Sequence, residues 1–160
     1  MPGPIRSRHL EYGSVSATVQ GKVGLHPMAK NVRLSDVQPI TQYRQLPPAL
    51  LELLAAASKL LLYVHGFATR FEDAAARLAQ LCEALGFTDP SVCFAWASAA
   101  RTSPRAYNTD CSTAAASQDN FWELLSDLAQ AVGPSACYPH PQCFGCSAIC
   151  VLAVVLQSER

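Results

Sequence analysis

Sulfur and imidazole side chains that could bind a metal ion lie close together near the carboxyl terminus. Thiolates at Cys-x-x-Cys spacing suit zinc, and Cys143 and Cys146 have that spacing. A zinc site normally has a second ligand pair at a longer interval, however, whereas this cluster is compact and adjoins an apolar run. We therefore interpret these cysteines as incidental, and predict no metal ion and no cofactor. The cluster consists of Cys137, His140, Cys143, Cys146 and Cys150.

Two carboxylates, Asp73 and Asp110, are candidate acids, and both stand near the start of a helical pattern. Asp73 falls in the first turn of a predicted helix, where negative charge is favourable to the helix dipole. Asp110 stands just before another predicted helix, where a capping role is expected. We therefore predict structural roles for both. Trp96 and Trp122 are interpreted as packing residues of the core and of a helix face.

The strands that would position a site are predicted from the apolar pattern. Val15, Ala17 and Val19 alternate with polar residues, which is typical of a half-buried strand. Residues 59–64 and 92–96 are short, almost entirely apolar runs, typical of strands buried on both faces of a parallel sheet. Residues 32–46 show no clear period, and we expect them to be irregular.

The helices are predicted from composition, capping signals and apolar spacing. Residues 49–57, after two prolines, are strong helix formers. Thr69 and Glu72 have capping-box spacing and begin a helix that Gly86 would end. After a polar loop at about 97–108, a further helix is expected from about Ser112 or Ser117 to Ala131. The alternation of strand and helix predicts an α/β sheet with right-handed crossovers.

Composition and charge limit the classes of protein to which the chain can belong. The 160 residues are 50% hydrophobic and 15% charged, enough for one domain with a buried core. The formal net charge is zero, so there is no electrostatic reason to expect nucleic acid or an anionic membrane as partner. The longest apolar run, Phe144–Leu156, is too short to span a bilayer, and no signal segment is evident. We expect a soluble, intracellular, cytoplasmic protein.

Four motifs, in order, resemble the α/β-hydrolases of an uncharacterised serine-hydrolase-like type, similar to esterases and lipases. They lie within residues 60–132, a little under half of the chain. The resemblance covers only the N-terminal half of such a hydrolase. The motifs are VHGF at Val64–Phe67, FEDA at Phe71–Ala74 with AQL and LGF after it, FAWAS at Phe94–Ser98, and Tyr107 with Asp110 three residues later.

The resemblance implies a doubly wound sheet and a nucleophilic serine, with a histidine as base and an acid that orients it. It also implies an oxyanion hole, for which one donor would be the backbone N–H of Phe67 or Ala68. His65 and Gly66 belong to this turn as a structural motif. Histidine would pack and hydrogen-bond beneath the loop, and glycine would permit the tight turn.

The resemblance also places a nucleophile in an elbow after a further strand. The sequence has no G-x-S-x-G motif, and Ser147, in Gly145–Ile149 (GCSAI), is the better of two imperfect candidates. The apolar residues Cys150–Leu156 would then form the helix behind the elbow. The other candidate, Ser135, follows a proline. No histidine or aspartate follows Ser147, so a triad in the order typical of hydrolases is incomplete in this chain.

The pattern of predicted strands and helices, together with composition, divides the chain into three regions. Residues 1–45 are a leader with short strands, 46–133 the hydrolase-like region, and 134–160 a Cys- and Pro-rich tail of atypical pattern. We expect a truncated, partial α/β-hydrolase sheet flanked by helices, with the tail arising from an altered reading frame, a splicing change or a truncation.

Three functions fit this sequence. The first is a serine hydrolase of ester or related acyl bonds, by ancestry, with an incomplete triad and a small-molecule acyl substrate if it is active. The second is a non-catalytic hydrolase-fold fragment that acts as a binding or interaction module and self-associates through an open sheet edge. The third is a small zinc-binding protein.

Overall fold

The computed structural model describes residues 10–20, 31–40, 46, 48–57, 59–132 and 152–157. In these ranges the chain forms one mixed sheet with helices packed around it. The elements are β1 (Glu11–Val19), β2 (Val32–Ile40), α1 (Pro48–Ala56), β3 (Leu61–Val64), α2 (Phe71–Leu85), β4 (Ser91–Phe94), α3 (Pro104–Ala115), α4 (Gln118–Val132) and β5 (Leu152–Gln157).

The sheet has five strands in the order β2-β1-β5-β4-β3. Strands β3 and β4 pair in parallel, as the predicted crossover through α2 requires, and β1 and β5 also pair in parallel. The β1–β2 and β4–β5 pairs are antiparallel. The α/β class is therefore confirmed, with a mixed sheet rather than a purely parallel one. The leader and the tail both contribute strands to it.

Two strands differ from the sequence prediction. Residues 32–40, expected to be irregular, form β2, which pairs with β1 along most of its length. Most of its described side chains are exposed, so the sequence has no alternating apolar signal there. Residues 152–157, expected to be helical, form β5 between β1 and β4. A short apolar run does not reveal by its period whether it is strand or helix, and here sheet pairing decides.

Helix α2 follows its C-terminal prediction but not its N-terminal one. The predicted capping box at Thr69 is wrong, because the helix begins at Phe71 after Arg70, and Thr69 Oγ1 instead donates to the Phe67 carbonyl at 3.2 Å. Gly86 ends the helix as predicted, with φ +60°, a conformation that glycine adopts without a steric penalty. Its N–H and that of Phe87 donate to carbonyls of the last turn.

The polar loop expected at about 97–108 is shorter than predicted, because α3 begins at Pro104. Ser103 caps this helix, with its Oγ accepting the Ala106 N–H at 3.2 Å, and Pro104 takes the first helical position, where a missing N–H costs nothing. The predicted single helix is therefore two helices, α3 and α4. The serine–proline pair was the signal in the sequence that marked the earlier start.

Two apolar clusters cover the two faces of the sheet. Alternate residues of β4 enter different clusters: Val92 and Phe94 pack with α1 and α4, and Cys93 packs with α2. All four residues of β4 are buried, as predicted for a strand covered on both faces. Within the described residues, no helix is long and apolar enough to cross a membrane.

Candidate functional site

The candidate site lies where the parallel strands β3 and β4 end. Because the carboxyl ends of parallel strands meet at one edge of a sheet, the turn after β3 and the loop after β4 lie side by side. Helix α3 follows the second loop and turns a buried carboxylate back towards both. These three segments contain the predicted site residues that fall within the described part of the chain.

His65, the first residue after β3, is only 3% exposed and stacks on the indole of Trp96, with ring centroids 4.9 Å apart. Nε2 accepts the Trp96 backbone N–H at 2.9 Å, and Nδ1 lies 2.9 Å from the Gly66 carbonyl, to which it donates. The Trp96 Nε1–H in turn donates to the His65 carbonyl at 2.9 Å. Both ring nitrogens thus have main-chain partners, which is the arrangement of a structural histidine.

These contacts assign the tautomer of His65. Nε2 is also 3.0 Å from the Trp96 carbonyl, but a nitrogen that accepts the Trp96 N–H carries no proton to donate there. Burial lowers the pKa of His65, against the opposing effects of the Gly66 and Trp96 backbone contacts and of the Asp110 charge. The ring is therefore neutral at neutral pH, with its proton on Nδ1.

The lowered pKa of His65 predicts that acid destabilises the fold. Below its ordinary value of 6.5, the unfolded chain binds a proton at this histidine more readily than the folded chain does. The free energy of unfolding therefore falls as the pH drops through that value, by up to about 1.4 kcal/mol per pH unit. Urea unfolding between about pH 5.5 and 7.5, compared with His65→Gln, measures this contribution. An equal slope in the variant would contradict the assignment.

Asp110 is 1% exposed and joins both loops to α3. Its Oδ1 accepts the Ala99 N–H at 2.6 Å, and its Oδ2 accepts the Ser98 hydroxyl at 2.6 Å and the Ala68 N–H at 3.3 Å. The predicted capping role is wrong, because Asp110 lies within α3 and Ser103 caps that helix. Burial of a carboxylate is costly unless its oxygens are hydrogen-bonded, and these three donors meet that need.

The turn after β3 adopts its unusual conformation at Ala68. Ala68 has φ +56°, in the left-handed region that disfavours a Cβ, whereas a Cβ at Gly66 would meet nothing within 4 Å. The residue with the left-handed conformation in this tight turn is therefore Ala68, whereas glycine at position 66 was expected to permit the turn. Phe67 is 39% exposed and forms an edge-to-face contact with Tyr107, with ring centroids 5.2 Å apart.

Replacing Ala68 with glycine is expected to stabilise the protein. The variant removes the steric cost of a left-handed alanine and keeps the backbone N–H, for a net gain of roughly 0.5 kcal/mol after the greater chain entropy of glycine is counted. Ala129→Gly, within α4, is the matched control and is expected to destabilise by about 1 kcal/mol. Equal losses in the two variants, measured by urea unfolding, would contradict the strain at Ala68.

The remaining predictions have mixed outcomes. Trp96 is buried as expected, whereas Trp122 is 58% exposed on α4, where its ring centroid lies 6.4 Å from that of Phe121. Ser147 lies outside the described residues, as do His140 and the four cysteines considered above as metal ligands. In the described ranges, Cys82, Cys93 and Cys111 are free and no group of three metal-binding side chains occurs. The role of Ser98 has no signal in the sequence, since only the fold brings its hydroxyl to Asp110.

The comparisons with known proteins agree with this geometry at the level of family. The model of a family described as "Alpha/beta hydrolase of unknown function (DUF900)" matches residues 50–136, which is more than half of the chain. The match confirms the resemblance that the motifs predict and contains the whole candidate site. No curated protein and no solved structure matches the chain.

Proposed function

Since the chain belongs to the family of alpha/beta hydrolases of unknown function, we propose that it is a hydrolase-fold protein that acts as a non-catalytic interaction module. One observation carries this proposal. The Ala68 N–H, one of the two donors that the resemblance offers for an oxyanion hole, donates to the carboxylate of Asp110 at 3.3 Å. The N–H in the turn after β3 would then help to join this turn to the loop after β4, through Asp110, instead of binding a reaction intermediate.

The charge of Asp110 supports this function. An oxyanion hole works because its N–H groups are aimed at the position where negative charge develops. Here a buried carboxylate oxygen, Oδ2, already occupies the acceptor side of the Ala68 N–H. A developing oxyanion at the same donor would meet a like charge at close range, which is destabilising where the dielectric is low. His65, with both ring nitrogens bonded to main-chain groups, has no free nitrogen to act as a base.

A second candidate function is a serine hydrolase of ester or related acyl bonds, with Ser147 as nucleophile and a small acyl compound as substrate. One observation favours it. The contact from Ala68 is the longest of the three at Asp110, and the two contacts at 2.6 Å would hold the carboxylate in place without it. An acyl oxygen that displaced Oδ2 would then reach the Ala68 N–H, and donors in hydrolases without substrate are often poorly aligned.

A fluorophosphonate probe separates the two functions, because it reacts covalently with an activated serine. The folded full chain and two variants, Ser147→Ala and Ser126→Ala, would be treated with the probe and their intact masses measured. Ser126 is an exposed serine of α4 and serves as the matched control. The proposal predicts no labelling of the three proteins above the level of urea-unfolded chain. Stoichiometric labelling that Ser147→Ala alone abolishes would establish the hydrolase.

A further inference from the structure

Among the strands that the structure describes, β3 lies at one end of the sheet and pairs with β4 alone. Along its other side, within the part of the chain that the structure describes, no strand pairs with its main-chain groups. Unpaired N–H and C=O groups in a row are a template for a further strand. The residues along this edge of β3 therefore influence which strand could pair with it.

The two ends of the sheet differ in how they are protected from such pairing. Strand β2, at the far end, contains Asp36 with φ +50° and Pro39, and its pairing with β1 has a register shift between Ser14 and Ser16. Charge, proline and irregular pairing are the features that protect edge strands. The residues of β3, Leu61–Val64 (LLYV), include no charge and no proline, and they pair with β4 in unbroken register.

Exposed apolar side chains adjoin the carboxyl end of β3. Val64 is 42% exposed, Phe67 three residues later is 39% exposed, and Tyr107, which contacts Phe67, is 47% exposed. The preceding residues of β3 are half-buried and pack into the two clusters of the core. The main-chain edge and these three side chains together form an apolar surface, which we call the β3 surface.

We propose that the β3 surface pairs with the β3 surface of a second copy of the chain, so that the two β3 strands run antiparallel across a two-fold axis. This inference rests on the proposed non-catalytic function, for which it names the partner. An uncharged edge is complementary to itself, as a two-fold interface requires. The formal net charge of zero leaves no overall repulsion between copies.

Charges beyond the two ends of β3 favour the antiparallel arrangement. Lys59, two residues before the strand, is exposed, and the turn after the strand leads through exposed Arg70 to Glu72 and Asp73 in the first turn of α2, both exposed. One cation and two carboxylates leave this end of β3 with a formal net charge of −1. Antiparallel pairing brings the amino end of one strand to the carboxyl end of the other. The lysine of each copy then approaches the acidic helix start of its partner, which is attractive at low salt.

Sedimentation velocity of the full chain, in reductant and over about a hundredfold range of concentration, tests the proposal. Because the paired strands are short, we expect a dimer with a Kd of roughly 10 μM. Val64→Lys places a charge at the β3 edge and is expected to weaken the dimer at least about tenfold. Val37→Lys, at a valine of β2 that is 54% exposed, is the matched control and is expected to dimerise like the wild type.

A second variant keeps the test informative if Val64→Lys does not fold. Lys59→Glu, at an exposed site, is expected to weaken the dimer at low salt and to have less effect at high salt. Wild-type protein that stays monomeric would overturn the proposal and leave a strand of another protein as the occupant of the β3 edge. A dimer that Val64→Lys and Val37→Lys weaken equally would also overturn the proposal. Fluorophosphonate labelling is read separately: a labelled protein overturns the proposed function, whereas an unlabelled monomer overturns the dimer alone.

Discussion

Replacing Asp110 with alanine is expected to lower the free energy of unfolding by about 3 kcal/mol. The variant removes a buried acceptor and leaves the Ser98 hydroxyl and the N–H groups of Ala99 and Ala68 without the partner that they have in the structure. Those donors lie in two loops that the carboxylate connects. Urea unfolding followed by tryptophan fluorescence measures the loss, because Trp96, in the loop after β4, is buried against His65 of the turn after β3.

Two further variants separate the loss of these hydrogen bonds between the loops from the general effect of removing a charge. Asp119→Ala removes an exposed carboxylate from the first turn of α4 and is expected to have a much smaller effect, from the helix dipole alone. Asp110→Asn keeps the shape but places an amide donor beside the existing donors, so we expect a substantial loss as well. Equal stability of Asp110→Ala and Asp119→Ala would contradict the bridging role.

Replacing Trp96 with alanine is expected to lower the free energy of unfolding by about 4 kcal/mol. The variant removes an almost fully buried indole, the stack on His65 at 4.9 Å and the hydrogen bond from Nε1 to the His65 carbonyl. It also opens a cavity in the larger apolar cluster, to which Trp96 belongs. Thermal unfolding followed by circular dichroism is the appropriate measurement, since this variant lacks the buried fluorophore.

Trp122→Ala is the matched control for the same residue type. Its indole is 58% exposed on α4, so we expect a loss of no more than about 0.5 kcal/mol, as for surface substitutions in general. If the two tryptophan variants lost equal stability, the His65–Trp96 stack would not be the support that the structure indicates.

Local signals in the sequence predicted most of the region from α1 to α4. The apolar runs at 59–64 and 92–96, the helix formers at 49–57 and the glycine after α2 correspond to β3, β4, α1 and the end of α2. Strands β2 and β5 could not be predicted from the sequence, because pairing over long sequence separations stabilises them. Their own residues have no apolar period that distinguishes a strand from other structure.

The candidate site was predictable in its location but not in its contacts. The motif Val64–Phe67 marked the turn after β3, yet the contact between Ala68 and Asp110 joins residues 42 positions apart. A left-handed conformation at an alanine has no signature in the sequence, because glycine is the residue expected there. The capping role expected for Asp110 failed because Ser103 and Pro104 begin the helix earlier.

In the function that we propose, the Asp110 carboxylate holds the Ala68 N–H, which is then not free for an oxyanion. Hydrogen exchange of this amide, resolved by NMR in the wild type and in Asp110→Asn, measures whether the contact protects it. We expect exchange at least about tenfold slower in the wild type than in the variant, with the amides of β4, which is paired on both sides, protected in both. An Ala68 amide that exchanges in the wild type as fast as in an unfolded chain would contradict it.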